Sequence, residues 1–218
     1  MNDSQIDQAI KLLKREVKQW KVPSVGVVAK ETRDPFQVLV SCVLSLRTQD
    51  GTTAAASGRL FARGNTPSQL ARLPVDQVER LIYPVGFYRV KARNIIAISR
   101  KLIDEYGSQV PDEIDELLKL PGVGRKTANL VVILGYDKYG ICVDTHVHRI
   151  TNRWGYVNTA TPDKTEFALR AKLPRKHWKV INDLLVTYGQ NLCRPVRPRC
   201  SLCKLHPYCE RKNVETFS

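Results

Sequence analysis

The spacing of apolar residues along the chain predicts helices. From Ile6 to Val17 they recur at steps of three and four residues, which indicates an amphipathic first helix with Ser4 as its cap. No segment shows the sustained alternation of apolar and polar residues that a half-buried strand requires. The sequence therefore predicts an all-α fold, without internal repeats or low-complexity segments.

Capping residues, prolines and glycines define further helices. Asp34 and Pro35 take the cap and first positions of a helix from Phe36 to Leu46, which is apolar nearly all round and is therefore expected to be central to a core. Gly107 ends a long helix that begins near residue 89. Its apolar face is expected to comprise Val90, Ile95, Ile98, Leu102 and Tyr106. The remaining predicted helices cover residues 52–61, 68–72, 75–83, 113–119, 125–134, 164–172 and 175–188, and another opens at residues 143–149 with Asp144 as its N-cap. A connector is expected at 21–33 and a turn at 135–140.

A glycine-bearing hairpin lies between two of these helices, in the sequence Leu-Pro-Gly-Val-Gly-Arg-Lys-Thr-Ala at residues 120–128. Pro121 ends the preceding helix, and Gly122 and Gly124 allow backbone angles that a side chain would forbid. The next helix begins at once, so its N–H groups and positive dipole end face the hairpin and can bind a phosphate without reading bases. A simple interhelical turn is the alternative.

The charge of the chain favours a polyanionic partner. Its 35 Lys and Arg residues exceed its 21 Asp and Glu residues, for a net charge of +14. Such a surplus suits nucleic acid or an acidic membrane face, or serves only solubility. Residues 1–20 are polar and no apolar run reaches membrane-spanning length, so a cytoplasmic, nucleoid-associated protein without a signal peptide is expected.

Four cysteines crowd the C-terminal segment with the spacing C-x6-C-x2-C-x5-C. They are Cys193, Cys200, Cys203 and Cys209. Such crowding indicates metal ligation, because disulfides at this spacing would be strained. Zinc usually takes short C-x2-C or C-x4-C pairs, whereas uneven loops suit a bulkier cubane. A [4Fe-4S] cluster is therefore favoured over zinc and over the absence of a metal.

Other candidate ligands and contacts have plainer interpretations. Cys42 and Cys142 lie in apolar sequence and are expected to be small core residues. His146 and His148 stand two residues apart, on different faces of a helix, which argues against a metal pair. The arginines of the stretch at residues 194–199 are expected to contact DNA phosphates, or to form a solvated basic loop.

Three motifs together resemble the endonuclease III family of DNA glycosylases. They are the Leu120–Ala128 hairpin, the sequence Val-Asp-Thr-His at residues 143–146 and the cysteine spacing, and they cover essentially the whole chain in order. The resemblance implies two helical lobes beside a DNA-binding cleft. Residues 28–138 would form a six-helix barrel domain, and residues 1–27 with 139–218 an iron–sulfur cluster domain. Lys126 and Asp144 would meet at the mouth of the cleft.

The resemblance also implies roles for these two residues. Lys126, near a helix N-terminus and among many cations, is expected to have a lowered proton affinity, so that its amine can displace the base and form a Schiff base. Asp144, at a helix N-cap, would stabilise positive charge on the sugar and assist proton transfer. The plain alternatives are a phosphate contact for Lys126 and a helix cap for Asp144.

A damaged base must flip out of duplex DNA before it can be removed. The family fills the gap that the base leaves with residues from two loops. Arg47 stands where the family commonly has Gln, and Phe87 where a Leu can stand. Arg47 thus departs from the pattern, which affects the expected opposite-strand contacts. The other expected DNA contacts are Gly122, Val123, Gly124, Arg125, Arg194 and Arg197.

The combined prediction is a monomeric, bifunctional DNA glycosylase and abasic-site lyase that removes oxidised pyrimidines from duplex DNA. Removal of alkylated purines or of mismatched bases is the alternative within the family. A lysine at position 126 argues against members that do not cleave the strand. From other classes, a non-catalytic DNA-binding module would need only the hairpin and the basic residues, and an iron–sulfur electron carrier would need neither.

Overall fold

The computed structural model describes residues 1–20 and 34–218, and all regular structure in these residues is helical, which confirms the all-α prediction. The helices are α1 (Asp3–Glu16), α2 (Pro35–Ser45), α3 (Asp50–Arg63), α4 (Pro67–Ala71), α5 (Val75–Ile82), α6 (Tyr88–Tyr106), α7 (Ile114–Leu117), α8 (Arg125–Tyr136), α9 (Thr145–Arg153), α10 (Pro162–Lys172) and α11 (Ile181–Asn191). The connector expected at residues 21–33 lies outside the described residues. None of the described helices is long and apolar enough to cross a membrane.

The described chain divides into two compact units, one of residues 34–138 and one of residues 1–20 with 139–218. Each unit has its own hydrophobic core. The assignment of residues 28–138 and of 1–27 with 139–218 to two domains stays a prediction, and its border at residue 27 lies outside the described part of the chain.

Helix α2 forms the centre of the 34–138 unit, as its apolar sequence predicts. Every residue from Val38 to Leu44 is buried, and α2 packs extensively against α8. Asp34 accepts hydrogen bonds from the N–H groups of Phe36 and Gln37, which confirms it as the cap. Cys42 is buried in this helix, as expected for a small core residue.

The buried face of α6 differs from the prediction at one position. Val90 is 48% exposed, whereas Lys91 is only 5% exposed and lies on the face that carries Ile95, Ile98 and Leu102. Residues 91, 95, 98 and 102 follow the helical repeat, so the face is continuous. Lys91 can occupy it because its ammonium group finds carbonyl acceptors there.

Two predicted boundaries in this unit are also wrong. The helix expected at residues 113–119 is limited to α7, because the N–H groups of Lys119 and Leu120 bond carbonyls only three residues back and tighten the chain into the hairpin. Gly135 belongs to α8 and not to a turn. A Cβ at Gly135 would lie 3.3 Å from Pro35, so glycine there permits close packing of α8 on α2.

In the unit of residues 1–20 and 139–218, α1 packs its apolar face on α11, but Ser4 is not its cap. Asn2 accepts from the Gln5 N–H at 3.1 Å, and the Gln5 side chain accepts from the Asn2 N–H at 3.0 Å, which completes a capping box. The Ser4 hydroxyl donates to Asn2 Oδ1 and so supports the cap from inside the helix.

The single helix expected at residues 175–188 is split into a 3-10 turn, Arg175–His177, and α11. Two side chains anchor the chain at the break. His177 Nε2 lies 2.6 Å from Asp7 Oδ1, and Trp178 Nε1 donates to the Leu173 carbonyl at 2.8 Å. These sideways contacts hold residues 177–178 in place, and the regular helix begins only at Ile181.

Candidate functional site

The hairpin at residues 120–124 joins α7 to α8. Gly122 has a φ of 76°, and a Cβ there would collide with the Asn94 amide on α6, so this position requires glycine. Gly124 has a φ of −102°, which any residue adopts, and a Cβ there would meet no described atom within 4 Å. The expectation that both glycines provide forbidden angles is therefore wrong for Gly124.

The hairpin leads its backbone into the N-terminus of α8. Gly124 is the N-cap and supplies no side-chain cap. The Val123 side chain is buried and its N–H donates to the Leu120 carbonyl at 3.2 Å, so Val123 mainly anchors the hairpin to the core. The positive end of the α8 dipole therefore lies at Gly124 and at Arg125, the first helical residue.

Lys126 is the second residue of α8 and is half-buried. Its charge acts on the thiol of Cys42 on α2. Burial raises the pKa of Cys42 to about 12, and the positive charge of Lys126 opposes this shift. Lys126 thus belongs to a helix that packs on the central core helix α2.

Asp144 caps α9, as predicted. Its Oδ1 accepts from the N–H groups of His146 and Val147, both at 2.9 Å. Both bonds use the same carboxylate oxygen, and the group is half-buried. Asp144 belongs to the unit of residues 139–218 and Lys126 to that of residues 34–138, so their meeting stays a prediction.

Arg47 lies in the loop of residues 46–49 and Phe87 in the loop of residues 83–87, both in the 34–138 unit, and the two side chains contact each other. The Arg47 guanidinium carbon lies 5.7 Å from the centroid of the Phe87 ring. Both residues are exposed, and Phe87 is 62% exposed. Both also have left-handed backbone angles, with φ of 52° and 59°. The structure thus brings together the two residues expected to enter the DNA stack.

The four clustered cysteines line one cavity. All four are thiols. The other lining residues include Leu192, Pro198, Val214 and the side chains of Arg153 and Tyr188. Among the described residues, no group of three or more His, Cys, Asp or Glu side chains has the geometry to hold a metal ion.

The environment of these thiols disfavours their charged form. Burial raises the pKa of Cys200 and Cys203, and raises that of Cys209 to about 11. Without a metal, three neutral thiols therefore face one mostly apolar cavity. A metal ion displaces such protons and replaces them with coordination bonds.

Two buried side chains that the sequence analysis missed contact the cysteine sulfurs. The Tyr188 hydroxyl and Cys203 Sγ are hydrogen-bonded at 3.0 Å, and Arg153 Nη1 donates to Cys193 Sγ at 3.4 Å. Arg153 also donates to the carbonyls of Arg194 and Pro195 at 2.6 and 2.7 Å. In the sequence, the only sign of these contacts is that an arginine and a tyrosine occupy helical positions where apolar residues are expected.

Helix α9 connects the Asp144 cap to the cysteine segment. Arg149 Nη2 donates to the Cys193 carbonyl at 2.8 Å and lies 3.1 Å from His146 Nδ1. His148 Nδ1 instead lies 2.7 Å from the Thr165 hydroxyl. The two histidines therefore serve different contacts, in agreement with their expected positions on different faces.

The arginine loop, residues 194–199, lies between the first two of the clustered cysteines. Arg194 and Arg197 are exposed, and Arg197 has a φ of 45°. The carbonyl of Arg194 is held by Arg153, so the loop begins from a fixed backbone while its side chains remain accessible. This arrangement suits phosphate contacts.

The chain is similar to known proteins in sequence and in structure. The family profile described as "HhH-GPD superfamily base excision DNA repair protein" matches residues 40–175. Endonuclease III of Thermotoga maritima is 51% identical over 181 residues, covering 83% of this chain and 84% of the relative. Endonuclease III homolog 1, chloroplastic, of Arabidopsis thaliana is 41% identical, and its match covers 88% of this chain but only 53% of that longer protein.

A solved structure described as "Structure of a Trapped Endonuclease III-DNA Covalent Intermediate: Estranged-Adenine Complex" is also similar. Its TM-score is 0.86 at 32% identity, and the match covers 97% of each chain. The similarity thus extends over both sequence and backbone.

Proposed function

Because the chain belongs to the HhH-GPD superfamily of base excision DNA repair proteins, and within it to the endonuclease III family, we propose that Lys126 is its nucleophile and Asp144 its catalytic carboxylate. The protein is a base excision repair DNA glycosylase with abasic-site lyase activity, and its partner is double-stranded DNA. The oxidised pyrimidines form the substrate class that we assign to it. Cytoplasmic action on nucleoid DNA is part of the same proposal.

One observation carries the assignment of Lys126: the helix that follows the glycine hairpin presents this lysine as its second residue. The hairpin supplies backbone N–H groups and a positive helix end for the phosphates of one strand. The amine is carried by the same rigid element. Binding of the strand by Gly122, Gly124 and Arg125 therefore also delivers Lys126 to the deoxyribose.

The proposed reaction begins when the Lys126 amine attacks the sugar carbon C1′. The Lys126 Nζ forms a bond to C1′ while the bond to the damaged base breaks, and the base departs with the electron pair and gains a proton. Loss of a proton from nitrogen and opening of the sugar ring give a Schiff base. Removal of a C2′ proton then expels the 3′ phosphate, and water releases the lysine. The Asp144 carboxylate stabilises positive charge on the sugar and transfers protons.

The four cysteines are proposed to hold a [4Fe-4S] cluster. Their four thiolates would hold the cluster together, without having to converge on a single ion. That all four cysteines line one cavity supports this proposal. When bound, the cluster would fix the loop between Cys193 and Cys200, and with it Arg194 and Arg197. We also propose that the two compact units are the barrel and cluster domains.

Arg47 and Phe87 are proposed to fill the gap that the flipped nucleotide leaves. Both are exposed, and together they offer an aromatic face and a cationic donor group. Aromatic and guanidinium planes stack on bases, and guanidinium N–H groups bond base edges. Val123 is proposed to contact DNA only through its backbone.

Borohydride trapping on a duplex with one abasic site tests the proposal. Borohydride reduces a Schiff base to a stable amine, so the native protein is expected to form a covalent adduct that Lys126→Ala does not form. Lys119→Ala is the matched control, because this exposed lysine is paired with Glu116 and lies outside the hairpin. An absent native adduct, or equal trapping by Lys126→Ala, would refute the lyase assignment. A panel of single-lesion duplexes, alkylated purines and mismatches included, tests the substrate class.

A further inference from the structure

Lys91 is a buried lysine for which the reaction described above has no use. Its Nζ donates to the carbonyls of Leu44 at 2.8 Å and Leu46 at 2.5 Å, and to the Thr48 hydroxyl at 3.2 Å. A buried ammonium is costly unless its N–H groups are bonded, and these three acceptors match its three donors. Burial lowers the pKa of Lys91 to about 8, so the group is mainly protonated at neutral pH.

The acceptors of Lys91 form the C-terminal end of α2 and the start of the Arg47 loop. Carbonyl groups at a helix C-terminus lack intrahelical partners and carry partial negative charge. Leu46 is the C-cap residue of α2. Lys91 thus holds the backbone before Arg47 and the Thr48 side chain after it, and the left-handed φ of 52° at Arg47 needs such support.

The Thr48 hydroxyl extends this anchor to the loop of Phe87. It donates to the Leu46 carbonyl and accepts from the Gly86 N–H, both at 3.2 Å. The backbones also pack directly, because a Cβ at Gly86 would lie 2.6 Å from the Arg47 carbonyl oxygen. Phe87 follows Gly86 immediately and lies under the Arg47 guanidinium.

We propose that Lys91 is a positioning residue that, through Thr48, locks the Arg47 and Phe87 loops into one rigid element for insertion into duplex DNA. This inference rests on the proposed function of Arg47 and Phe87. A pair held in place before binding loses less freedom when it enters the stack. Single-stranded DNA has no opposite base and no gap to fill. Lys91 therefore contributes to cleavage of duplex substrates and not to the chemistry itself.

The test compares strand cleavage at one abasic site in duplex and in single-stranded DNA, under single-turnover conditions. Thr48→Val is the principal variant, because it removes the linking hydroxyl with little change of shape. Lys91→Met removes the ammonium, and Thr52→Val on α3 is the matched control. The duplex-to-single-strand rate ratio is expected to fall ~10-fold in Thr48→Val and Lys91→Met, as for a displaced positioning group, and to stay native in the control.

A second readout reports insertion itself: fluorescence of 2-aminopurine placed opposite the abasic site should change less on binding to Thr48→Val than to the native protein. An unchanged ratio and unchanged fluorescence in folded Thr48→Val would overturn the inference, and so would an equal loss on both substrates. If Lys91→Met does not fold, Thr48→Val decides. Failure of the native protein to cleave either substrate would instead refute the proposed function.

Discussion

Arg47 and Phe87 share a rare backbone state and stack on each other. Both are non-glycine residues with φ near 55°, at 52° and 59°, and the guanidinium carbon lies 5.7 Å from the ring centroid. Each left-handed residue costs about 1 kcal/mol or more, and such residues cluster at functional sites. The cation–π contact returns about 0.5–1 kcal/mol at an exposed site. The surroundings of the pair thus stabilise a backbone conformation that is unfavourable for each residue by itself.

Arg47→Gln is expected to change which base is preferred opposite the lesion. Arginine has only donors and suits the O6 and N7 acceptors of guanine, whereas glutamine pairs its donor and acceptor with adenine. The native protein should therefore favour guanine over adenine opposite one lesion. The substitution should shift the guanine-to-adenine rate ratio toward adenine by roughly tenfold, which corresponds to about 1.4 kcal/mol. Single-turnover excision of one oxidised pyrimidine opposite each base measures it.

The control for this substitution is Arg63→Gln, which removes an equal charge from the exposed last turn of α3. It should lower the rates on both duplexes together, or leave them unchanged. If Arg47→Gln also changes both rates by one common factor, Arg47 supplies charge alone and reads no base.

Much of the fold was predictable because local signals and packing agree. The all-round apolar sequence of α2, its Asp34 cap and the left-handed Gly107 that ends α6 were all predicted and are all present. The exposure of Val90 and the burial of Lys91 were not predicted, because a hydropathy pattern places a valine inside and a lysine outside. It cannot show that carbonyls from Leu44 and Leu46 would lie beside the ammonium.

The candidate site divides in the same way. The hairpin, the Asp144 cap and the cysteine spacing are local in sequence, so their residues could be named in advance. Tyr188 contacts Cys203, and Arg153 contacts the chain at Cys193, across 15 and 40 residues. Contacts between side chains so far apart depend on helix packing, which no motif encodes.

Replacement of the loop arginines should reduce the salt dependence of DNA binding. Each phosphate contact releases about one counterion, so Arg194→Gln and Arg197→Gln should each reduce the slope of log K against log salt by about 1. Fluorescence anisotropy with a duplex that carries a tetrahydrofuran abasic analogue measures the slope. Arg72→Gln, an exposed arginine that ends α4, is the control. An unchanged slope in both loop variants would show that the loop is solvated and does not contact DNA phosphates.

Tyr188→Phe is expected to lower the reduction potential of the cluster-loaded protein. The Tyr188 hydroxyl is hydrogen-bonded to Cys203 Sγ, and such a bond stabilises the added negative charge of a reduced cluster. Its loss should lower the potential by on the order of tens of mV. Tyr156→Phe is the control, because this buried hydroxyl donates to the Lys172 carbonyl and not to sulfur. An equal potential in all three proteins, measured by voltammetry, would contradict the assignment.

The buried Lys91 should impose a pH dependence on stability. Its pKa in the folded protein is about 8, below the ordinary value of 10.5, because burial disfavours the charge. Between pH 8 and 10.5 the unfolded chain therefore binds more protons, so this group makes the free energy of unfolding rise with pH. Between pH 8 and 10 the free energy of unfolding of the native protein should therefore rise relative to that of Lys91→Met. Urea unfolding of both proteins measures this difference. A relative loss would show that the carbonyl hydrogen bonds outweigh desolvation.

Asp144 has a structural and a chemical role that two substitutions separate. Asp144→Ala removes the cap of α9 and should cost about 1 kcal/mol, or roughly 2–4 °C in Tm. Asp144→Asn keeps an oxygen that can accept from His146 and Val147, so its Tm should stay native, yet base excision should slow by ~10²–10⁴-fold because the charge is lost. The matched cap variant Asp34→Ala should lower Tm without such a loss of rate. A native rate in Asp144→Asn would leave Asp144 as a helix cap only.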